Sequence, residues 1–278
     1  MLPESRLYSF IDQNKGFTLH FLEGQKLIHD VALIHGIHGA GFHFFRDTLL
    51  STQMLLAFLK PGEGLGIYLD IDDPLLKFKI EMNEMGQMRT LLLPEDLNQF
   101  PKIITGKCRL TKTSPGEKAP YTSIVDIKLT PLEQVINLLL RDSYQLKSKI
   151  FLSKDSDQAL MISKLPSINI DKIQTNYTMS VEEYWQKNES AIFEFFKKFH
   201  TEYSEIQSFF ESLNTILLST KDVKFKCTCS RERMVHGLFS LVKSAGIDHV
   251  FMQDENEIQT KCDYCHTIYT ISRNDLLN

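Results

Sequence analysis

Apolar residues recur along the chain with two periods, and the switches between them set out the elements. Leu7-Tyr8-Ser9-Phe10-Ile11 and Phe17-Thr18-Leu19-His20-Phe21 flank Asn14-Lys15-Gly16, a pattern that predicts a hairpin. Helical spacing follows from Gln25 to about Leu59, broken by Gly36, Gly39 and Gly41 and closed by Pro61-Gly62. Strand patterns resume at Gly66–Ile71, turn at Asp72-Asp73-Pro74 and return through Leu76–Met82. They recur at Met88–Leu93, Ile103–Lys112, Tyr121–Ile127, Lys149–Ser153 and Ala159–Ser163. One helix is expected among them, from Pro131 to about Tyr144, with Leu132, Val135, Ile136, Leu139 and Leu140 on one face. Thr130 is its expected N-cap, Pro131 fits the first turn, and Glu133 suits the positive helix end. This mixed order predicts an α+β domain over residues 1–173.

The pattern then changes. Residues 174–226 hold 11 of the chain's 29 aromatics. Val181, Tyr184, Trp185, Ile192, Phe195, Phe196, Phe199, Tyr203, Ile206 and Phe210 follow helical spacing, which predicts an aromatic-rich helical linker with a broad apolar stripe. In its resting form such a stripe packs on the first domain, and a sharper reading has it uncovered at times. Residues 227–278 form a third zone. Ser230 is expected to cap a helix with Met234, Leu238, Leu241, Val242 and Ala245 inward and Gly246 as its stop. A hairpin pattern follows, Glu257–Lys261 and Thr267–Ile271 on either side of Cys262-Asp-Tyr-Cys265.

Composition narrows the choice of function. Lys plus Arg number 31 against 35 Asp plus Glu in 278 residues, a formal charge of −4. That balance disfavours phosphate-backbone binding as the main task, and nucleic acid is not an expected partner. No stretch approaches the ~20 apolar residues of a membrane span, and the first residues lack the order of a secretory signal, so a cytoplasmic location is expected. No Walker loop, Gly-x-Ser-x-Gly elbow or HExxH motif occurs, which weakens a case for hydrolysis or nucleotide use.

The candidate chemistry lies in the cysteines. Cys227-Thr-Cys229 and Cys262-Asp-Tyr-Cys265 form two close pairs in the last fifth of the chain, while Cys108 stands alone in a strand pattern. A CxxC at a hairpin bend points both sulfurs to one side, half of a tetrahedral zinc site, and the CxC pair can supply the other half. Four thiolates with no open position describe a structural zinc ion; intracellular disulfides are the competing reading. A segment of this size would have about 3–8 kcal/mol of stability as a typical domain, against about 10–16 kcal/mol from zinc binding. Oxidation that consumes the thiolates would then release the metal and unfold the zone in one event.

The run Phe225 to Arg233, reading FKCTCSRER, with Cys262-Asp-Tyr-Cys265 and the following Tyr269, closely resembles the signature of the bacterial thirty-three-kilodalton heat-shock chaperones. Leu59-Lys60, Asp72-Asp73-Pro74, Gln87-Met88-Arg89 and Ser143-Tyr144-Gln145-Leu146 fall in the same family order. The resemblance implies a redox-regulated, ATP-independent holdase that is inactive when reduced and zinc-bound. It implies that oxidation pairs Cys262 with Cys265 and Cys227 with Cys229, releases the zinc and loosens the linker. The oxidised chain would then dimerise, from a reduced monomer, and hold unfolding proteins. Tyr184, Trp185, Phe195, Phe196 and Phe199 are the candidate client-binding residues, since the aromatic zone stands where the family has its metastable linker. The sequence departs from the family pattern at Ile71, Asp73, Thr90 and Tyr144, with all four candidate metal ligands intact.

Other candidates have plainer readings. Arg231 and Arg233 either lower nearby thiol pKa values or are solvated helix residues. His35, His38 and His43 lack carboxylate support and fit helix packing or polar capping better than a metal site. His236, His249 and His266 are not needed as ligands beside four cysteines. Two further functions compete with the holdase: a thiol–disulfide oxidoreductase using Cys262 and Cys265, and a constitutive zinc-ribbon module. The usual redox CxxC starts a helix, whereas this one joins two strand patterns.

Overall fold

The computed structural model describes residues 2–99, 101–166, 169–170, 173–174, 178–252 and 255–276. The chain divides into two compact units, Met1–Phe225 and Lys226–Asn278.

The larger unit opens with the expected hairpin, β1 (Arg6–Asp12) and β2 (Phe17–Glu23). Its turn closes through the Gly16 N–H to the Asp12 carbonyl at 2.8 Å. Helices α1 (Gln25–His35) and α2 (Gly39–Gln53) follow, and α2 runs into a 3-10 turn at Met54–Phe58. The expected helical region is broken where its glycines stand. Gly36 takes the left-handed conformation at φ 62° and its N–H caps α1. Gly41 is demanded by close approach, since a Cβ there would lie 1.8 Å from the Leu97 carbonyl oxygen.

Five strands come next: β3 (Gly64–Asp73), β4 (Leu76–Asn83), β5 (Gln87–Leu93), β6 (Ile103–Thr113) and β7 (Tyr121–Pro131). Helix α3 (Leu132–Asp142), β8 (Ser148–Leu152) and β9 (Gln158–Lys164) complete the expected α+β order. Thr130 is not the cap of α3. It ends β7 opposite Ile104, its hydroxyl donates to the Lys128 carbonyl, and Pro131 takes the cap position. The Glu133 side chain lies outside the described residues.

After a two-residue ladder, β10 (Asn169–Ile170) with β11 (Ile173–Gln174), the aromatic zone forms two helices rather than one stripe. These are α4 (Val181–Phe196) and α5 (Tyr203–Ser212), and two strands that the sequence pattern did not predict follow, β12 (Ile216–Asp222) and β13 (Lys224–Phe225). One sheet runs β12-β1-β2-β9-β8 and the other β13-β5-β4-β3-β6-β7. All pairings in both are antiparallel except β13 with β5.

The central strands of the five-stranded sheet, β1, β2 and β9, are buried on both faces. Leu7, Leu22, Ala159 and Met161 join one core with α1, α2, α3 and the inner face of the six-stranded sheet. Their neighbours Tyr8, Phe10, Leu19, Phe21, Leu160 and Ile162 point the other way and pack under α4 and α5. This two-sided burial is why β1, β2 and β9 read as nearly continuous apolar runs.

The smaller unit holds α6 (Arg231–Ala245), a hairpin of β14 (Glu257–Lys261) and β15 (Ile268–Ser272), and a closing 3-10 turn at Arg273–Leu276. Ser230 caps α6 as expected, accepting the Arg233 N–H, and Gly246 ends it. Met234, Leu238 and Val242 face the small core around Phe251, Ile271 and Leu276. Leu241 and Ala245 do not; both are exposed, and Val235 and Phe239 take the inward places. The helix meets its core along a stripe displaced by about one position from the one expected.

Candidate metal centre and apolar surface

The hairpin places half of the site. Lys261 pairs with Ile268 at the last rung, and the chain reverses through 262–267. The Cys262 N–H donates to the Thr267 carbonyl at 2.9 Å and the His266 N–H to the Cys262 carbonyl at 2.8 Å. His266 takes the left-handed conformation at φ 57°, a position open to a non-glycine residue at a tight bend. Cys227 and Cys229 lie just before the Ser230 cap and bring the second pair of sulfurs.

All four sulfurs, of Cys227, Cys229, Cys262 and Cys265, lie within 4.8 Å of one another. Cys227 Sγ is 3.8 Å from Cys262 Sγ, and Cys229 Sγ is 3.3 Å from Cys265 Sγ. A tetrahedral ion with metal–sulfur bonds of about 2.3 Å sets its sulfurs about 3.8 Å apart, so the cage fits one such ion. Both of these contacts join one pair to the other, as a shared cage requires. The four cysteines are the one group of metal-capable residues found among the described residues.

The surroundings differ from sulfur to sulfur. Burial pushes the Cys227 thiol up to about 12 and raises Cys262 as well. Burial also opposes ionisation of Cys265, but the Thr267 hydroxyl, the Thr267 N–H and the neighbouring sulfurs outweigh it and bring this thiol down to about 7. The Tyr269 hydroxyl lies 3.0 Å from Cys229 Sγ, and Thr267 Oγ1 lies 3.2 Å from Cys265 Sγ. Thr267 was not among the sequence candidates; its signal was a hydroxyl two residues beyond the CxxC, on the strand that returns beneath it. Arg233 Nη1 donates to the Thr228 carbonyl and hydroxyl, each at 2.7 Å, and Arg231 engages Asp275 and the Thr270 carbonyl. Both guanidinium groups bind oxygen near the cage rather than sulfur. Cys108 is buried in the larger unit, where desolvation lifts its thiol to about 12, an inert residue by that measure.

The five client-binding candidates fall into different places. Tyr184, Phe195 and Phe196 are buried under α4 and α5, and Tyr184 meets Phe17 at 4.4 Å between ring centroids. Phe195 stacks on Phe209 at 3.9 Å and on the His200 ring at 3.7 Å. Trp185 lies half-buried at the cluster edge, stacked on Phe151 at 3.5 Å, and Phe199 is exposed. Phe10, Phe17, Phe21 and Phe210 complete the cluster from the sheet and α5.

A buried polar clasp joins the α4–α5 connection to the sheet. Glu23 Oε2 accepts from the His200 N–H at 3.1 Å and from Gln158 Nε2 at 2.6 Å. Burial raises the Glu23 carboxyl, and those two hydrogen bonds pull against the rise. Ser153 and Ser156 hydroxyls donate to the Phe196 carbonyl, so the end of α4 is capped from the β8–β9 loop.

The described chain is thus an α+β unit with an aromatic helical layer, followed by a small four-thiol unit on a hairpin. The profile of the Hsp33 protein family matches residues 5–272, and the chain belongs to this chaperone family. It is 21% identical over 291 residues to the 33 kDa chaperonin of Pectobacterium carotovorum subsp. carotovorum, covering 99% of this chain and 96% of the relative. It is 23% identical over 294 residues to the 33 kDa chaperonin of Photorhabdus laumondii subsp. laumondii, with the same coverage of 99% and 96%. The crystal structure of the 33 kDa chaperonin (heat shock protein 33 homolog) of Thermotoga maritima superimposes with a TM-score of 0.73 at 15% identity, over 99% of this chain and 97% of that one. Among the described residues no helix is long and apolar enough to cross a membrane.

Proposed function

We propose that this chain is a redox-regulated, ATP-independent holdase, inactive when reduced and holding one zinc ion on Cys227, Cys229, Cys262 and Cys265. The observation that carries this reading is the convergence of four sulfurs within 4.8 Å in a unit with so small an apolar core. Bound zinc supplies a cross-link among four thiolates that the unit's own packing does not replace. Oxidation pairs Cys262 with Cys265 and Cys227 with Cys229. Each pair of thiolates gives up two electrons to one peroxide, which takes two protons from solvent and leaves as two waters, and one S–S bond forms. A sulfur in a disulfide is no longer a thiolate donor, so the metal is released and the small unit loses its fastener.

The segment 174–226 then loosens and bares apolar surface, with Tyr184, Trp185, Phe195, Phe196 and Phe199 as the client-binding residues. Clients are unfolding or oxidatively damaged proteins, the reduced chain is a monomer and the oxidised one a homodimer. Neither nucleic acid nor membrane is a partner, and the setting is the cytoplasm. The Cys262–Cys265 pair sits at a hairpin bend rather than at a helix start, which favours this reading over an oxidoreductase.

The test is one peroxide titration at raised temperature that follows zinc release, free thiols and aggregation of a thermally unfolding client. Suppression of aggregation should rise with the loss of zinc and of four thiols. Equal suppression by the reduced, zinc-loaded chain would overturn the switch.

A further inference from the structure

On the larger unit a cleft of about 530 Å3 opens among α3, the start of β8, the end of β9 and the first turn of α4. Three lysines line it. Lys147 and Lys164 stand opposite one another at the end of the β8–β9 ladder, where the Lys164 N–H donates to the Lys147 carbonyl at 2.8 Å. Lys149 follows two residues later in the strand direction and reaches the same cleft. Like charges directly opposed on an antiparallel pair repel; Lys164 also interacts electrostatically with the Glu183 carboxylate, and the Lys149 ammonium lies 5.4 Å from the centroid of the Phe151 ring. Arg141 adds a fourth cation, already held by Asp142 through two hydrogen bonds of 2.6 and 3.0 Å. The acid in the lining is Glu182.

The fourth wall is the first turn of α4, which brings backbone N–H groups together with the carboxylates of Glu182 and Glu183. Ser180 and Glu183 close a capping box on α4, and the remaining first-turn N–H groups have no intrahelical partner. The positive end of this 16-residue helix is offset by those two carboxylates, so the three ammonium groups supply the positive charge of the cleft. A monovalent anion meets one such group at a time. Three compact point charges spread over two strands call for a ligand with several negative charges in a row, and lysine suits phosphate oxygens.

We propose that this cleft binds an oligophosphate, with Lys147, Lys149 and Lys164 spanning successive phosphate groups against the first turn of α4. The bound anion joins α4 to α3 and to β8–β9 within the larger unit.

The test uses the full reduced chain and tripolyphosphate, measured by equilibrium dialysis at fixed ionic strength, with ATP in a parallel arm. The chain's one tryptophan, Trp185, lies in α4 and stacks on Phe151 of β8, so its fluorescence locates the binding. Saturable binding is expected, weakened roughly tenfold or more in Lys147→Ala/Lys164→Ala and unchanged in Lys128→Ala on exposed β7. Removing two opposed like charges should leave the ligand-free variant at least as heat-stable as the parent; should it fail to fold, Lys149→Gln alone is expected to weaken binding by roughly threefold. Equal binding of the two probes assigns the phosphate chain as the ligand, and tighter ATP binding adds a nucleoside to it. Absence of saturation at millimolar tripolyphosphate, equal affinity in the lysine variants, or full competition by sulfate at the same ionic strength would each overturn the site.

Discussion

In the larger unit the central strands β1, β2 and β9 are packed on both faces, and the helices α2 and α4 bury much of their apolar sides completely. In the smaller unit α6 has no completely buried residue, and the apolar core reduces to Phe251, Ile271 and Leu276 with half-buried neighbours. Burial stabilises at about 25 cal/mol per Å2 of apolar surface, so the first unit is held by its volume of core. The second has little core of that kind, and on the proposed reading the sulfur cage holds it. One chain would then carry two kinds of stability, one set by packing and one set by four donor atoms.

Metal removal should break this contrast most widely. Zinc on a small thiolate site contributes about 10–16 kcal/mol apparent, more than so small a core can replace. Chelation, or Cys262→Ser, is expected to abolish amide-exchange protection over α6 and the β14–β15 hairpin while β2, β4 and β9 keep theirs. Exchange measured by mass spectrometry decides it, and a smaller unit that stays protected after chelation would contradict the contrast.

The next effect belongs to the larger unit alone. His20 is buried between the sheet and the 3-10 turn, with Nδ1 2.9 Å from Ser9 Oγ and the Phe58 ring edge-on at 6.0 Å. Burial lowers its pKa from 6.5 to about 4. The unfolded chain accordingly takes up a proton that the folded chain refuses. The neutral form's contribution is complete above pH 6.5 and is lost as the pH falls toward 4, to a total of about 3 kcal/mol. Urea unfolding of the parent and of His20→Gln between pH 7 and pH 4.5 should show a slope that the variant lacks. Parallel curves would remove His20 from the account.

What could be read from the sequence follows the same division between local and distant causes. The β1–β2 hairpin was legible because its alternation and its Asn14-Lys15-Gly16 turn are both local. The sulfur cage was legible because CxC and CxxC spacing is a local signal of shared ligation, even though the two pairs meet through the fold. The end of α4 was not. Its capping hydroxyls come from Ser153 and Ser156, and the connection is held by Glu23 and Gln158, so nothing at 197–202 marks a break. Strand β12 was missed for a related reason. Ile216 and Leu218 are exposed at a sheet edge, and its partner is β1, at the other end of the larger unit's sequence. Thr130 looked like a cap by residue type, yet the β7 ladder kept it as a strand residue.

The smallest effect sharpens the comparison by applying one change to both units. Ser180 caps α4 and Ser230 caps α6, each accepting an N–H from the third helical residue, at 3.1 and 3.3 Å. Replacing either by Ala should cost about 1 kcal/mol. In the larger unit that loss is spread over a deep core, and Ser180→Ala is expected to leave zinc affinity untouched. On the proposed reading, folding and metal binding in the smaller unit are one equilibrium, so a cost to α6 is a cost to the bound state. Ser230→Ala is expected to weaken apparent zinc affinity about fivefold, the factor that corresponds to 1 kcal/mol. Competition with a chromogenic chelator measures both variants against the parent. An equal effect of the two caps on zinc affinity, or none from Ser230, would mean that the small unit does not depend on the ion for its folding.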